Sequence, residues 1–103
     1  MQTQTYKATQ IVADIIAHIN KSGSQYYSDW YVGITSDIEQ RLFGDHNVPR
    51  TNHWFIWRRA SSDAEARAAE STMHEKGCKG GGGGGDEDSV FVYAYKITSV
   101  TKE

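Results

Sequence analysis

The spacing of apolar residues along the chain predicts three helices and three strands that follow one another in alternation. Residues 8–21 place apolar side chains three and four positions apart, which is the period of an amphipathic helix, and Gly23 is a natural end for it. The apolar stripe consists of Ile11, Val12, Ile15, Ile16 and Ile19. A stripe of this kind supplies surface for the core and no chemistry, so we expect this helix to be structural.

Three segments rich in β-branched and aromatic residues are predicted to be strands. These segments are residues 30–35, 53–60 and 90–98. Gly33 inside the first segment indicates either a bulge or a close approach of another group to the backbone. The third segment alternates strictly, with Tyr93 and Tyr95 on one face and Val92 and Ala94 on the other.

Two further helices are predicted from their capping signals. Ser36 and Glu39 have the spacing of a capping box, in which the serine hydroxyl accepts the Glu39 amide and the carboxylate reaches back to the serine amide. Ser62 and Glu65 repeat that spacing at the start of an alanine-rich helix over residues 62–76.

Alternating helices and strands usually indicate parallel βαβ units, but three strands and a short helix suit an antiparallel sheet equally well. We predict an α+β fold with a small three-stranded, mostly antiparallel sheet flanked by helices, in a single domain over residues 1–103. Residues 8–21 are expected to form an added N-terminal helix. Residues 79–88 are expected to be a flexible loop, because six consecutive glycines maximise backbone entropy.

The cysteine count and the apolar stretches bear on the cellular compartment in which the protein is expected. A single cysteine, Cys78, excludes an internal disulfide, and no Cys or Cys/His pair has the spacing of a zinc site. The longest apolar stretch is interrupted by Asp14 and His18, and the N-terminus lacks the features of a secretory signal. We therefore expect a soluble, cytoplasmic protein with no membrane partner.

Candidate chemistry is concentrated between the first strand and the third helix. An aromatic-aliphatic-glycine motif in the strand is followed at fixed spacing by Arg-Leu in the next helix, and a glutamate lies in the third helix. The residues of this set are Tyr31, Val32, Gly33, Arg41, Leu42, His46 and Glu70. The spacing Tyr-Val-Gly-x7-Arg-Leu resembles the second half of the GIY-YIG nuclease signature, and the match covers residues 30–77.

The resemblance implies a structure-selective or weakly sequence-selective endonuclease that hydrolyses DNA phosphodiester bonds with one Mg²⁺ or Mn²⁺ ion. Glu70 would hold the ion, and Arg41 would stabilise the charge that the phosphate gathers. Tyr31 would orient the water or assist proton removal, and His46 would share the proton transfer. Taken singly, each residue also has a structural interpretation, such as a packed strand aromatic or a solvated helix arginine.

One part of the family pattern has no counterpart at its usual place. The opening strand, which carries Gly-Ile-Tyr before the second motif, is absent there. One hypothesis is that the C-terminal strand takes the vacant position in the sheet and that Tyr93 or Tyr95 supplies the catalytic phenol. Another is that Tyr26 or Tyr27 reaches the cleft from the preceding loop. A third interpretation makes Tyr93 and Tyr95 ordinary strand aromatics.

Charge and aromatic residues bear on the expected partner. The net charge of −2 argues against strong attraction to nucleic acid along the whole chain, but residues 41–79 carry seven basic and five acidic side chains, a local charge of +2. The basic residues predicted to contact DNA are Arg50, Arg58, Arg59, Arg67 and Lys76.

The second strand has aromatics on both faces, with Trp54 and Ile56 on one and Phe55 and Trp57 on the other, and both faces are expected to be covered. Its aromatics, beside two arginines, resemble a stacking platform for bases, and core packing of at least two of the three is the alternative. Specificity is expected to come from a homo-oligomer, a partner chain or the shape of the substrate. A nucleic-acid-binding module without full activity, or a protein-interaction domain, are the competing functions.

Overall fold

The computed structural model describes residues 4–80 and 89–103. In this part of the chain the regular elements are two α-helices, one π-helix, a short 3₁₀ turn and three strands. In chain order they are α1 (Ala8–Ser22), the 3₁₀ turn (Tyr27–Asp29), β1 (Trp30–Thr35), the π-helix (Glu39–Asp45), β2 (Phe55–Arg59), α2 (Asp63–Glu75) and β3 (Phe91–Lys96).

The three strands form one sheet in the order β1-β3-β2, and β3 runs antiparallel to both of its neighbours. The predicted α+β fold with a small antiparallel sheet is therefore confirmed. The last strand in sequence lies in the middle of the sheet, between β1 and β2. Tyr93 lies opposite Gly33 on one side and opposite Trp57 on the other.

This register divides the side chains between two faces, because residues directly opposite in an antiparallel pair point the same way. We call one the aromatic face. Its residues are Tyr31, Gly33, Phe55, Trp57, Arg59, Phe91, Tyr93 and Tyr95. The other, which α1 and α2 cover, is the helix face, and its buried residues are Trp30, Val32, Ile34, Ile56, Val92 and Ala94.

The main core lies between the helix face and the two α-helices. Ile11, Ile15 and Ile19 of α1 are at most 2% exposed, and Gly23 ends the helix in the left-handed conformation at φ +81°, as the sequence predicts. Burying each isoleucine contributes roughly 2–3 kcal/mol. On α2 the buried positions include Ala66 and Ala69, whose small side chains let that helix pack closely on the sheet and on α1.

A smaller core lies on the aromatic face. Ile38, Leu42 and Val48, from the π-helix and its flanks, pack with the buried tyrosines of β1 and β3. The π-helix and its flanks do not cover the whole of β2. On that strand Phe55 is half-buried and Trp57 is 38% exposed. The prediction that both faces of β2 are covered is therefore wrong on this side.

The helix start predicted at Ser36 forms differently from the expected capping box. The Gln40 amide donates to Asp37 Oδ1 at 3.1 Å, and the π-helix has no side-chain hydrogen bond from its cap residue. The Glu39 carboxylate forms an ion pair with Arg50 instead of returning to the Ser36 amide. Asp37 is the stronger acceptor beside Ser36, so it takes the exposed amide of the first turn.

The second predicted cap joins two helices. Ser62 Oγ accepts the Glu65 amide at 3.2 Å, as predicted. The Glu65 carboxylate, however, accepts the Ala8 amide at the start of α1 at 2.8 Å, and the Lys7 side chain supplies no cap there. One glutamate in the first turn of α2 therefore satisfies a donor at the N-terminus of α1, where the helix dipole favours a negative charge.

Lys79, at which the predicted loop begins, pairs with the outer edge of β1. Its amide donates to the Trp30 carbonyl, and its carbonyl accepts the Val32 amide, both at 2.8 Å. Residues 81–88, which hold the remaining glycines of the predicted loop, lie outside the described residues. None of the helices in the described part of the chain has the length and apolar character needed to cross a bilayer.

Replacing Glu65 by alanine should destabilise the fold, because the Ala8 amide loses its acceptor. We expect Glu65→Ala to lower the free energy of unfolding by about 1–2 kcal/mol in urea titrations followed by circular dichroism. Glu75→Ala, at the exposed end of the same helix, is the control and should change that free energy by less than about 0.5 kcal/mol. Equal losses in the two variants would show that the cap contributes nothing.

Candidate active site

Gly33 allows a phenol to lie against the backbone of β1. A Cβ atom built on Gly33 would stand 2.5 Å from Tyr93 Oη and 2.7 Å from Cζ, distances that real side chains do not adopt. The ring of Tyr93 therefore occupies the space that a side chain on β1 would fill. The sequence predicts either a bulge or a close approach at Gly33, and the structure shows the close approach.

The π-helix brings a guanidinium and an imidazole to that phenol. The His46 amide donates to the Arg41 carbonyl at 3.0 Å, a bond between residues five apart, as is typical of a π turn. The His46 ring reaches that phenol, since Nε2 is hydrogen-bonded to Tyr93 Oη at 2.8 Å, and the guanidinium of Arg41 also acts on the phenol, since it lowers the Tyr93 pKa against the larger raising effect of burial. Leu42, between them in sequence, is fully buried and fixes this turn to the sheet.

The partners of His46 set the direction of this hydrogen-bond chain. His46 Nδ1 lies 2.7 Å from the Lys102 carbonyl oxygen, which only accepts, so Nδ1 carries the proton. In the neutral ring Nε2 is then an acceptor, and the Tyr93 hydroxyl donates to it. The chain thus runs from Tyr93 through His46 and ends at the backbone carbonyl of Lys102.

Burial shifts the pKa of both members of the buried pair. His46 is 2% exposed, and desolvation lowers its pKa, so the imidazole is neutral at neutral pH. Desolvation raises the pKa of Tyr93 to about 12, while the hydrogen bond from Arg41 acts in the opposite direction. The phenol is therefore protonated at rest, and Arg41 stabilises the phenolate whenever it forms.

Arg41 lies at the surface beside a small cavity. Its side chain is 47% exposed, and Nη1 lies 3.4 Å from Asp45 Oδ2. The cavity has a volume of about 200 Å³. The residues that line this cavity are Thr35, Ser36, Asp37, Gln40, Arg41 and Asp45. The permanent positive charge of Arg41 therefore faces this cavity next to the carboxylates of Asp37 and Asp45.

Tyr31 forms one wall of the same site. Its ring centroid lies 4.6 Å from that of His46, 5.3 Å from that of Tyr95 and 6.3 Å from that of Tyr93. The two tyrosine pairs are nearly parallel, with interplanar angles of 18° and 15°. The Tyr95 hydroxyl, whose pKa burial raises, lies 3.0 Å from His46 Nδ1 and helps to hold the histidine in place.

Glu70 approaches from α2, at the rim of the sheet. It is half-buried, and desolvation raises its pKa against the lowering effects of His74 and Arg67. Its negative charge is the smallest of the causes that raise the pKa of Tyr93, and burial is the largest. His74, one turn further along, is hydrogen-bonded through Nε2 to the Val32 carbonyl at 2.8 Å and fixes α2 to β1.

The donor set near Glu70 limits which metal ion it suits. In residues 4–80 and 89–103, no group of three or more His, Cys, Asp or Glu side chains is arranged to hold a metal. Mg²⁺ keeps several waters and is commonly bound through one or two carboxylates together with substrate phosphates. Glu70 offers one half-buried carboxylate, and the described residues form no closed all-protein site.

Of the five predicted site residues, Tyr31, His46 and Tyr93 lie together on the aromatic face and Arg41 lies on the π-helix that packs there, whereas Glu70 lies on α2, the helix that covers the other face. Tyr26 is 65% exposed and Tyr27 packs against the main core, so neither takes the place of the phenol. Sequence reasoning did not identify two supporting groups. His74 had a signal, its spacing of four from Glu70, whereas the Lys102 carbonyl had none.

The predicted DNA-contacting cations do not form a single surface. Arg58 is paired with α1 through Nε at 3.1 Å, and Arg67 with the first turn of its own helix at 3.9 Å. Lys76 is exposed just after α2. Arg50 and Arg59 contact rings that pack on the aromatic face, at 4.2 and 5.8 Å from the ring centroids. These two are therefore placed to act together with the site.

Comparison with known proteins adds no family to this geometry. No family model, no curated protein and no solved structure matches the chain. The function must therefore be argued from the residues and their arrangement.

Adding a methyl group to Gly33 should displace the phenol. We expect Gly33→Ala to lower the free energy of unfolding by about 1–3 kcal/mol, because Tyr93 must leave its place and its bond to His46. Gly44→Ala is the matched control, since a Cβ atom on Gly44 would lie an ordinary 3.8 Å from the Glu39 carbonyl oxygen. Urea denaturation of both variants measures the difference, and similar stabilities would refute the steric role of Gly33.

Proposed function

We propose that this chain is a metal-dependent DNA endonuclease of the GIY-YIG type, which hydrolyses phosphodiester bonds. The observation that carries the proposal is the hydrogen bond between the Tyr93 hydroxyl and His46, with the charge of Arg41 acting on the same phenol. It combines a phenol, a neutral base behind it and a permanent cation in front of it. Such a set is suited to a reaction in which a water loses a proton while an anion gathers charge.

The proton path follows from the direction of the hydrogen bonds. In the proposed reaction a water attacks phosphorus and gives its proton to Tyr93 Oη, while the phenol proton passes to His46 Nε2. The Nδ1–H of His46 already donates to the Lys102 carbonyl, which stabilises the imidazolium that results. The phosphorus–oxygen bond to the 3′ oxygen breaks, and that oxygen takes a proton from solvent.

Arg41 and Glu70 have the remaining roles in the proposed reaction. Arg41, half-exposed at the cavity, binds the phosphate oxygens and also stabilises the phenolate. Glu70, whose carboxylate is partly desolvated, is the proposed ligand of one Mg²⁺ or Mn²⁺ ion. A bound ion of this type supplies Lewis-acid stabilisation of the phosphate and of the leaving oxygen.

The chain order of the sheet supports the family assignment in one respect. The resemblance requires a phenol on a strand next to the Tyr-Val-Gly strand, and β3 holds that position with Tyr93 opposite Gly33. The phenol-bearing strand comes after the second motif here instead of before it. Side chains on neighbouring strands meet irrespective of the order in which the chain supplies the strands.

DNA is the proposed partner, and selectivity is proposed to come from a second copy, a partner chain or the shape of the substrate. The competing function is a nucleic-acid-binding module that retains this fold with little or no cleavage. The endonuclease and the binding module differ in the residues they need, because binding to phosphate requires Arg41 but not the Tyr93 hydroxyl.

Nicking of supercoiled plasmid with Mg²⁺ or Mn²⁺ tests the proposal. We expect Tyr93→Phe, Arg41→Ala and Glu70→Gln each to lower the nicking rate by about 100-fold or more, since each removes a group that acts in the transition state. The matched controls are Tyr26→Phe, an exposed phenol, and Glu75→Gln, an exposed carboxylate of the same helix as Glu70. Both controls should nick at the wild-type rate.

Two results would count against the enzyme. Nicking that survives in Tyr93→Phe would remove the phenol from the mechanism. DNA retention by the wild type without any metal-dependent nicking would favour the binding module.

A further inference from the structure

A row of aromatic rings with a guanidinium at each end crosses the aromatic face along β2. Arg50 stacks on Phe43 at 4.2 Å, and Phe43 meets Phe55 edge to face at 5.2 Å. Two positions along the strand, Trp57 meets Phe91 at 5.7 Å, and Arg59 lies 5.8 Å from the Phe91 ring. We call this row the aromatic strip; its residues are Phe43, Arg50, Phe55, Trp57, Arg59 and Phe91.

The strip is open to solvent, unlike the tyrosines beside it. Trp57 is 38% exposed and its three ring neighbours are half-buried, whereas Tyr93 is 1% exposed. A groove of about 440 Å³ runs along the Trp57 end of the strip. The residues that line it are Gln4, Tyr6, Phe55, Trp57, Arg58 and Arg59. A flat ligand can therefore reach the face of at least one of these rings.

The strip lies directly beside the candidate active site. Trp57 is the cross-strand partner of Tyr93, and Phe55 is that of Tyr95. Cross-strand partners have Cβ atoms roughly 5 Å apart. A group stacked on Trp57 is thus held one strand away from the phenol.

The charge at the Trp57 end suits an anion. Among the described residues no carboxylate is paired with Arg59, whereas Arg50 at the other end is neutralised by Glu39. Arg58, although paired with Asp14, also lines the groove and lies 5.6 Å from the Tyr6 ring. Flat rings next to arginines are the combination that binds bases and phosphates of a single strand.

We propose that the aromatic strip binds unpaired bases of a single-stranded segment next to the phosphate that is cleaved. The inference rests on the proposed nuclease function and names its substrate class, DNA with unpaired bases at the cleavage point. In a duplex each base face is covered by its neighbours, so ring stacking selects bases that have left the stack. The strip therefore makes cleavage selective for single-stranded or junction-containing DNA over continuous duplex.

Trp54 provides a matched control for this proposal. It is 37% exposed, almost the same as Trp57, but its ring packs on His18 of α1, on the opposite side of the sheet. Removal of either indole exposes similar surface. Only the loss of Trp57 should affect a ligand on the aromatic face.

Fluorescence anisotropy with a labelled oligonucleotide, single-stranded or annealed to its complement, tests the proposal in EDTA, where cleavage is absent. We expect the wild type to prefer the single strand, and Trp57→Ala to weaken that binding about 10- to 100-fold with little effect on the duplex. Trp57→Phe should retain most of the affinity because it keeps a ring. Trp54→Ala should bind as the wild type does.

Equal affinity for single strand and duplex, or equal binding by Trp57→Ala and Trp54→Ala, would overturn the inference. Cleavage of the plasmid and of the single-stranded oligonucleotide under Mg²⁺ separates this failure from that of the nuclease proposal. Cleavage without any Trp57-dependent single-strand preference would support the nuclease and contradict base binding by the aromatic strip. Trp57-dependent binding without cleavage of either substrate would support base binding by the strip and contradict the nuclease.

Discussion

The hydrogen bond between the buried hydroxyl of Tyr93 and the neutral imidazole of His46 is the interaction on which the rest of this site depends. Both groups are at most 2% exposed, and a buried polar group without a partner costs about 1–3 kcal/mol. Each therefore fixes the other. Gly33 makes room for the phenol, the π turn delivers the histidine, and the C-terminal segment supplies the carbonyl that sets its tautomer. Three segments that are distant in the sequence therefore hold the Tyr93–His46 pair in place.

Much of the fold could be predicted because the periods of α1, α2 and β3 are local properties of the sequence. The stripe of isoleucines and the alternation around Tyr93 each determine one face of one element. The order of the strands and the pairing of Glu65 with Ala8 could not be predicted in this way, because they depend on contacts between elements far apart in the chain. The capping box at Ser36 failed for a local reason, since Asp37 next to it is the stronger acceptor.

The candidate site, like the fold, could be predicted only where it depends on local sequence. The residue types and spacings predicted Arg41 and Glu70 as a set, and the choice of β3 as the strand that supplies the phenol was one hypothesis among several. The structure places the Tyr93 hydroxyl against His46, but no pattern in the sequence indicates that Trp57 is left open while Tyr93 is covered. That difference depends on how far the π-helix extends over the sheet. The sheet register then puts the buried Tyr93–His46 pair and the exposed row of rings side by side on one face.

Nitrogen-15 NMR of the His46 ring across the pH range tests this account most directly. We predict a neutral ring at neutral pH with the proton on Nδ1 and an unprotonated Nε2, because Nδ1 donates to the Lys102 carbonyl and Nε2 accepts from Tyr93. Since burial lowers the pKa, the second proton should bind only below the ordinary histidine value of about 6.5. A proton on Nε2 of the neutral ring, or a ring that is charged at neutral pH, would contradict the account.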